Sequence, residues 1–296
     1  MTDSLVTDNV PPLARRSAAD SDCIMALAGP DAAQFLQGQS SNDFANTSPG
    51  DARFAAFCNP KGRILADLLV VTAAPESFFL RGRRDVMTAL SAHLKPYLAF
   101  SNSNLTLLDW AVTCVSTEER TMAAPVAHIE WQSGVPIAIS VPRGECYIEH
   151  WRAKDTIEQQ PSMSEVALAE VDIKTLRARI ETETIGAYLP QDLNFDLNGT
   201  VSFNKGCYTG QEIIARLHYR GTPKRRLYAG QLANSAIELS AGSSLEDPAG
   251  NKIGTVVNYY RDTDHISLLA ELVPASAEND VTLAEGGARV ECLTTC

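Results

Sequence analysis

Nowhere does this sequence hold the ~20 consecutive apolar residues that a bilayer-spanning helix needs, so a helical membrane anchor is not expected. Positive charge is also scarce: 25 Lys and Arg stand against 36 Asp and Glu, for a formal net charge of −11. Proteins that grip nucleic acid by releasing counterions carry a basic stripe, so direct nucleic-acid binding is not expected either. Cations concentrate only at Lys224, Arg225 and Arg226, with Arg216 and Arg220 nearby. A solvated face is the commoner use of such a group. Five histidines lie scattered without His–His or His–Cys ligand spacing, so no metal site is predicted. Cys292-x-x-x-Cys296 is better read as a frayed terminus than as a ligand pair. No glycine-rich dinucleotide or phosphate loop is present. The first 22 residues carry no apolar signal segment, which points to a cytoplasmic protein with a loose polar arm over 1–22. Seven cysteines, an odd and dispersed set in a chain of 296 residues, suggest reduced thiols rather than disulfide staples.

What the sequence does hold is 45% hydrophobic content, enough for a sizeable core. Cys23 to Ala28 reads as a strand, and Asp31 to Gln37 as a short helix after Gly29-Pro30. "QGQSSND" at 37–43 is polar and turn-prone, which predicts an exposed loop. Arg53 to Cys58 and Ile64 to Thr72 flank "NPKG", a hairpin signal. Asp85 to Leu98 places Val86, Leu90, Leu94 and Leu98 four apart, as on a helix face. Leu105 to Ser116 reads as one strand, and the short apolar runs between Glu130 and Trp151 as several. Glu165 to Ile180 reads as a helix. This irregular alternation predicts an α+β fold rather than a doubly wound sheet. After Arg226, short strands joined by "DPAGN" and by Arg261 to Asp264 predict a small antiparallel barrel or sandwich. The expected domains are therefore a body over 23–224 and a barrel over 225–296.

The chemistry concentrates in "NKGCYTGQE", residues 204–212. Thr209 followed three residues later by Glu212 has the pattern of a capping box, so a helix is predicted to start there. Glu212, Arg216 and Arg220 then share one stripe, with Glu212 and Arg216 in the favourable ion-pair order. Cys207 precedes that start and follows Lys205. A helix N-terminus and a lysine both favour a thiolate. Gly206 and Gly210 allow a close approach or a positive φ. The alternative is that the glycines shape a tight turn and Cys207 packs as a small apolar residue. Glu181, in "RARIETE", is expected at a solvated helix end.

Lys205, Gly206, Cys207, Tyr208, Thr209, Gly210, Gln211, Glu212, Arg216, Arg220 and Gly221 resemble the signature K-G-C-[YF]-[TV]-G-Q-E-x-x-x-R-x-x-x-R-G of the YgfZ family. "YLPQDLNFDLNGTVSFNKG", "FLQGQSSND" and "NPKGRILADLLV" extend the likeness from about residue 24 into the C-terminal region. The resemblance implies a fold similar to the aminomethyltransferase T-protein of glycine cleavage: a folate-binding body of two intertwined subdomains followed by a β-barrel. It further implies tetrahydrofolate as ligand, with folate contacts at Glu181, Asp67 and Asn42. It implies a role in assembly or repair of iron–sulfur clusters in client enzymes, among them radical enzymes that thiolate tRNA, under oxidative stress. Cys207 would be the working thiolate and Lys205 its activator. Tyr208, Gln211 and Glu212 would fix the loop, with Arg216 and Arg220 holding it or facing an anion. T-proteins show paired aspartates in an I-L-D-D-L strand, whereas this chain has Ile64-Leu65-Ala66-Asp67-Leu68. The missing carboxylate weighs against the alternative, a folate-dependent aminomethyltransferase.

Overall fold

The computed structural model describes residues 21–116, 126–143, 146–154 and 167–295. Residues 1–20 of the expected arm, residues 165 and 166 of the expected helix, Cys296 and the side chain of Cys292 lie outside that description.

Strands β1 (Asp22–Ala28), β2 (Ala52–Cys58), β3 (Ile64–Ala74), β4 (Ser77–Arg83) and β5 (Asn104–Leu107) form an antiparallel sheet in the order β2-β3-β4-β1-β5. Along β3 the side chains divide by strict alternation: Ala66, Leu68 and Val70 enter one core, and Leu69, Val71 and Ala73 another. A period of two is what a pleated strand dictates, and here both faces are covered. On the first face lie helices α1 (Ala32–Gln39) and α2 (Arg84–Leu98); of the four-residue stripe the latter buries Val86, Leu90 and Leu94, with Leu98 partly buried and Met87 joining them. On the second face lies a four-stranded sheet of β6 (Trp110–Ser116), β7 (His128–Gln132), β8 (Val135–Arg143) and β9 (Tyr147–Ala153), ordered β6-β9-β8-β7.

Two expectations fail in this region. The single strand foreseen over Leu105 to Ser116 is two strands in different sheets: pairing with β1 ends with the Leu108 N–H on the Ile24 carbonyl, and from Trp110 the chain pairs instead with residues 147–153. The helix foreseen to Ile180 is only α3 (Leu168–Lys174); Leu176, at φ 53, reverses the chain and sends Arg177 onward as extended backbone. That segment then recrosses the first sheet. The Ile180 N–H meets Asp67, the Ile64 N–H meets the Tyr188 carbonyl, and the Ser202 N–H meets the Ser41 carbonyl. The body is thereby interleaved rather than built from sequential blocks.

The chain closes with helix α4 (Gln211–Arg220) and six strands: β10 (Arg226–Leu232), β11 (Ser244–Glu246), β12 (Lys252–Arg261), β13 (Ile266–Leu272), β14 (Val281–Leu283) and β15 (Arg289–Thr294). They form a closed antiparallel barrel, which leaves no free sheet edge. Leu232, Leu245, Val256 and Leu268 fill its interior, while Leu227, Val257 and Leu269 face the body core.

Between the two body sheets lies a buried charge cluster that no sequence pattern announced. Arg81 chelates Glu149 at 2.6 and 2.9 Å, and Arg143 pairs with both Glu149 and Asp172. Arg179 reaches Asp22 at 2.7 Å, Asp172 at 3.1 Å and Asp67 at 3.2 Å. The neighbouring guanidiniums overcome burial and hold the carboxyls of Asp22 and Asp172 below their ordinary range.

Candidate functional site

Residues 37–43, expected as an exposed loop, are largely interior: Ser40, Ser41 and Asn42 are all buried. Polar residues tolerate this because each finds a partner. The Ser40 hydroxyl donates to the Leu36 carbonyl at 2.7 Å and that of Ser41 to the Thr200 carbonyl at 2.8 Å. The Asn42 amide donates to the carbonyls of Phe54 at 2.7 Å and Gly199 at 2.8 Å. Asn42 is thus a clasp between the first sheet and the returning segment. Its amide donors are already committed to backbone.

Lys205 completes the clasp. Its ammonium donates to the carbonyls of Gln37 at 2.8 Å, Ser40 at 2.7 Å and Asn42 at 2.6 Å, and stands 4.9 Å from the centre of the Tyr208 ring. A cation at the C-terminal end of α1 satisfies carbonyls left open by the helix and complements its dipole. An ammonium has three donors, and all three are taken. Lys205 thus anchors the loop, and no N–H remains for a hydrogen bond to the sulfur expected to be activated by it.

Cys207 stands exposed between two fixed points. Lys205 is one. The other is Tyr208, buried in the main core, followed by the Thr209 N–H on the Gly38 carbonyl at 3.1 Å. The expected capping box is absent: Gly210 caps α4 at φ 85 without a side-chain bond, and the Thr209 hydroxyl lies 3.4 Å from Gln39 Oε1 instead. Gly210 is required there twice over. A Cβ would sit 2.6 Å from the Asn59 carbonyl and 3.0 Å from Gly62 in the N-P-K-G turn, and its φ lies where L residues are strained. Gly206, by contrast, has ordinary φ and open space around it. On α4, Ile214 is buried and Glu212, Arg216 and Arg220 are exposed; among the described residues neither Glu212 nor Arg216 joins an ion pair. Phe203 stacks on His218 at 3.6 Å, tying the strand-like approach to the last turn of the helix. Of the cationic run, Arg225 is taken by Glu271 and Arg226 by Asp196, which leaves Lys224 exposed.

Glu181 occupies a second focus, where the returning segment passes between the first sheet and the barrel. Its side chain is 22% exposed, not the solvated helix end foreseen. Oε1 receives Arg83 at 2.6 Å and the Asn258 amide at 2.9 Å. Burial nevertheless raises its pKa. Asp67 is more deeply set: Oδ1 accepts the Ile180 N–H at 2.7 Å and Oδ2 lies 3.2 Å from Arg179. Both its oxygens serve the fold, so the free ligand contact expected of Asp67 is not presented. Among the described residues no cluster of His, Cys, Asp or Glu is arranged to hold a metal ion, and no helix is long and apolar enough to cross a membrane.

This geometry can be set beside known proteins. A tRNA-modifying protein YgfZ from Photorhabdus laumondii is 32% identical over 258 residues, covering 79% of this chain and 76% of the relative. The chain belongs to the YgfZ family. The YgfZ of Sodalis glossinidius is 31% identical over 258 residues, covering 79% of this chain and 77% of its own. Residues 24–123 match the GCVT N-terminal domain family. The glycine cleavage system aminomethyltransferase T from Bartonella henselae superposes with a TM-score of 0.67 at 18% identity, covering 94% of this chain and 84% of that one, which establishes a shared fold. Within this YgfZ chain, the structure brings together Asn42, Lys205, Gly206, Cys207, Tyr208, Thr209 and Gly210 around the end of α1. Glu181 and Asp67 belong to the separate junction with the barrel. Sequence reasoning missed Asn258, Arg83 and the clasp made by Ser40 and Ser41. No local signal announced the last, since the Lys205 and Thr200 partners of this stretch lie some 160 residues away.

Proposed function

We propose that this chain is a folate-binding accessory protein that serves iron–sulfur enzymes, including those that modify tRNA, through the thiol of Cys207. The observation that carries this reading is the mounting of Cys207: an exposed sulfur on a loop fixed by three Lys205 hydrogen bonds before it and by buried Tyr208 after it. A thiol that only filled space would be buried, as Cys23, Cys58 and Cys114 are. A presented and rigidly held sulfur suits contact with a large partner, whose own site cannot bend to reach a recessed group.

Tetrahydrofolate fits the second focus. A pterin offers adjacent N–H donors, and Glu181 is a mostly sheltered carboxylate whose Oε1 is oriented by two donors. Arg83 Nε beside it is buried without a hydrogen-bond partner, a sign of a polar site not completed by the protein alone. Bound folate would supply one-carbon or redox chemistry of its own, while Glu181 holds and orients the ring. Asp67, engaged by Arg179 and Ile180, is not free to steer an aminomethyl group, which favours the accessory reading over a transferase.

The test replaces Cys207 by Ala and by Ser in cells oxidatively stressed, and measures thiolated nucleosides in tRNA. Loss of modification with a folded variant is expected. Full modification with C207A would defeat the proposal. Calorimetric titration with tetrahydrofolate checks the ligand separately, and no heat of binding would remove folate from it.

A further inference from the structure

Strand β12 does not run true. Its register against β13 shifts between Val256, opposite Ala270, and Asn258, opposite Leu269, so Val257 is an extra residue. In a regular strand side chains alternate, and with Val256 inside the barrel and Val257 in the body core, Asn258 would point back into the barrel. The bulge reverses the phase. Tyr259 takes the barrel side and Tyr260 the body side, while Asn258 stays with Val257 facing the body. Bulges re-aim side chains in this way, and they cluster beside functional sites.

What Asn258 meets is the segment that carries Glu181. Its Oδ1 accepts the Arg179 N–H at 2.7 Å, and its amide donates to the Arg179 carbonyl at 3.0 Å and to Glu181 Oε1 at 2.9 Å. Across Ile180, whose N–H is held by Asp67, the backbone of 179–181 is thus gripped from both sides. From the first sheet, Arg83 takes the same Glu181 oxygen.

We infer that Asn258 is a positioning residue for Glu181: the barrel, through its bulge, sets the direction and the ionised state of the carboxylate that receives the ligand's N–H edge. This deepens the folate reading and rests on it for the identity of the ligand. The charged groups around Glu181 are Arg83 from β4, Arg179 from its own segment and Asp67 from β3. Asn258 adds a neutral donor, which favours the carboxylate over the acid. Removing that donor therefore makes Glu181 harder to ionise and frees its rotamer.

The test uses the full chain with Asn258→Leu, and with Asn258→Asp as a near-isosteric second variant that keeps an oxygen for the Arg179 N–H. In ligand-free protein, carbon-13 NMR of the Glu181 carboxyl follows its titration, which both variants should move upward. An unchanged titration overturns the inference whether or not folate binds. Calorimetry with tetrahydrofolate should show a dissociation constant raised about tenfold or more, the effect of losing a hydrogen bond to a charged group. If the wild-type chain binds and the variants bind equally well, the inference is overturned and the folate reading stands. If no variant and no wild type binds while the titration moves, the folate reading falls and the positioning role is upheld.

Discussion

Lys205 is where two accounts of the signature loop part most sharply, and its replacement by Met decides between them. If the ammonium anchors the loop, its removal leaves three carbonyls, those of Gln37, Ser40 and Asn42, without their donor. A buried acceptor left unmet costs ~1–3 kcal/mol. Water reaches this half-buried site and carbonyls keep a second lone pair, so the sum should fall near ~3 kcal/mol rather than at three times the upper figure. Burial pulls the Lys205 pKa down to about 8, which still leaves it charged at neutral pH. Arg is not an adequate substitute, because a planar fork cannot converge on three carbonyls as a tetrahedral ammonium does. Urea denaturation of K205M should therefore show a loss of about 3 kcal/mol, and K205R a smaller but clear one. Native-state alkylation of Cys207 by iodoacetamide should not slow. The opposite pattern, a loss under ~1 kcal/mol with alkylation slowed about tenfold, would return Lys205 to the role of thiol activator and refute the anchoring argument.

Arg179→Met should cost ~3–5 kcal/mol, since it takes the nearest cation from buried Asp22 and Asp67 and one of two from Asp172; chemical denaturation showing under ~1 kcal/mol would contradict the cluster's role. Asp22→Asn tests the sign of the linkage. The folded pKa of Asp22 is depressed by Arg179 and Arg81 despite burial, so its contribution is present above the unfolded value and lost as pH falls through the folded one. The variant should be less stable at neutral pH and lose less on acidification, as followed by circular dichroism; a parallel acid profile would contradict this. Gly210→Ala should destabilise by ~2 kcal/mol or more, through its positive φ and its clash with the Asn59 carbonyl, while Gly206→Ala stays within ~1 kcal/mol. Thermal unfolding of the pair separates them. Alkylation followed by mass spectrometry should label Cys207 and Cys146 in the native chain and spare Cys23, Cys58 and Cys114, whose thiols are buried and pushed up to about 11, 12 and 12.

Where a local rule governs, the fold was legible. The N-P-K-G hairpin, the four-residue spacing of α2 and the turn-linked barrel strands each depend on residues close in sequence. The signature loop was legible as a place, because glycines, a cysteine and a lysine crowd it. Its inner arrangement was not. Thr209 and Glu212 match a capping box, yet the close approach of Gly210 to Asn59 and Gly62 dictates how the helix begins, and that contact spans some 150 residues of chain. The same reason hides the charge cluster: Arg81, Arg143 and Arg179 come from three separate segments, and their carboxylate partners from four. A charged residue in sequence reads as exposed because most are. Only tertiary pairing overturns it.

The distribution of these long-range contacts bears on function. The stretch from Arg179 to Cys207 reaches many parts of the molecule: Asp172 of α3 through Arg179, β3 through Ile180 and Tyr188, the barrel through Glu181 and Asn194, and α1 through Lys205. It contains few helical residues and no strand, so its conformation is imposed by those contacts rather than by its own backbone pairing. A segment built this way registers a change at one end as a change at the other only if the intervening backbone is fixed. Here it is: Asn194 is held to Leu227, Gln191 to the Ile214 carbonyl, and Thr200 to the Ser41 hydroxyl. The thiol and the carboxylate occupy different sites, and one strip of chain, held between them at Gln191, Asn194 and Thr200, carries both.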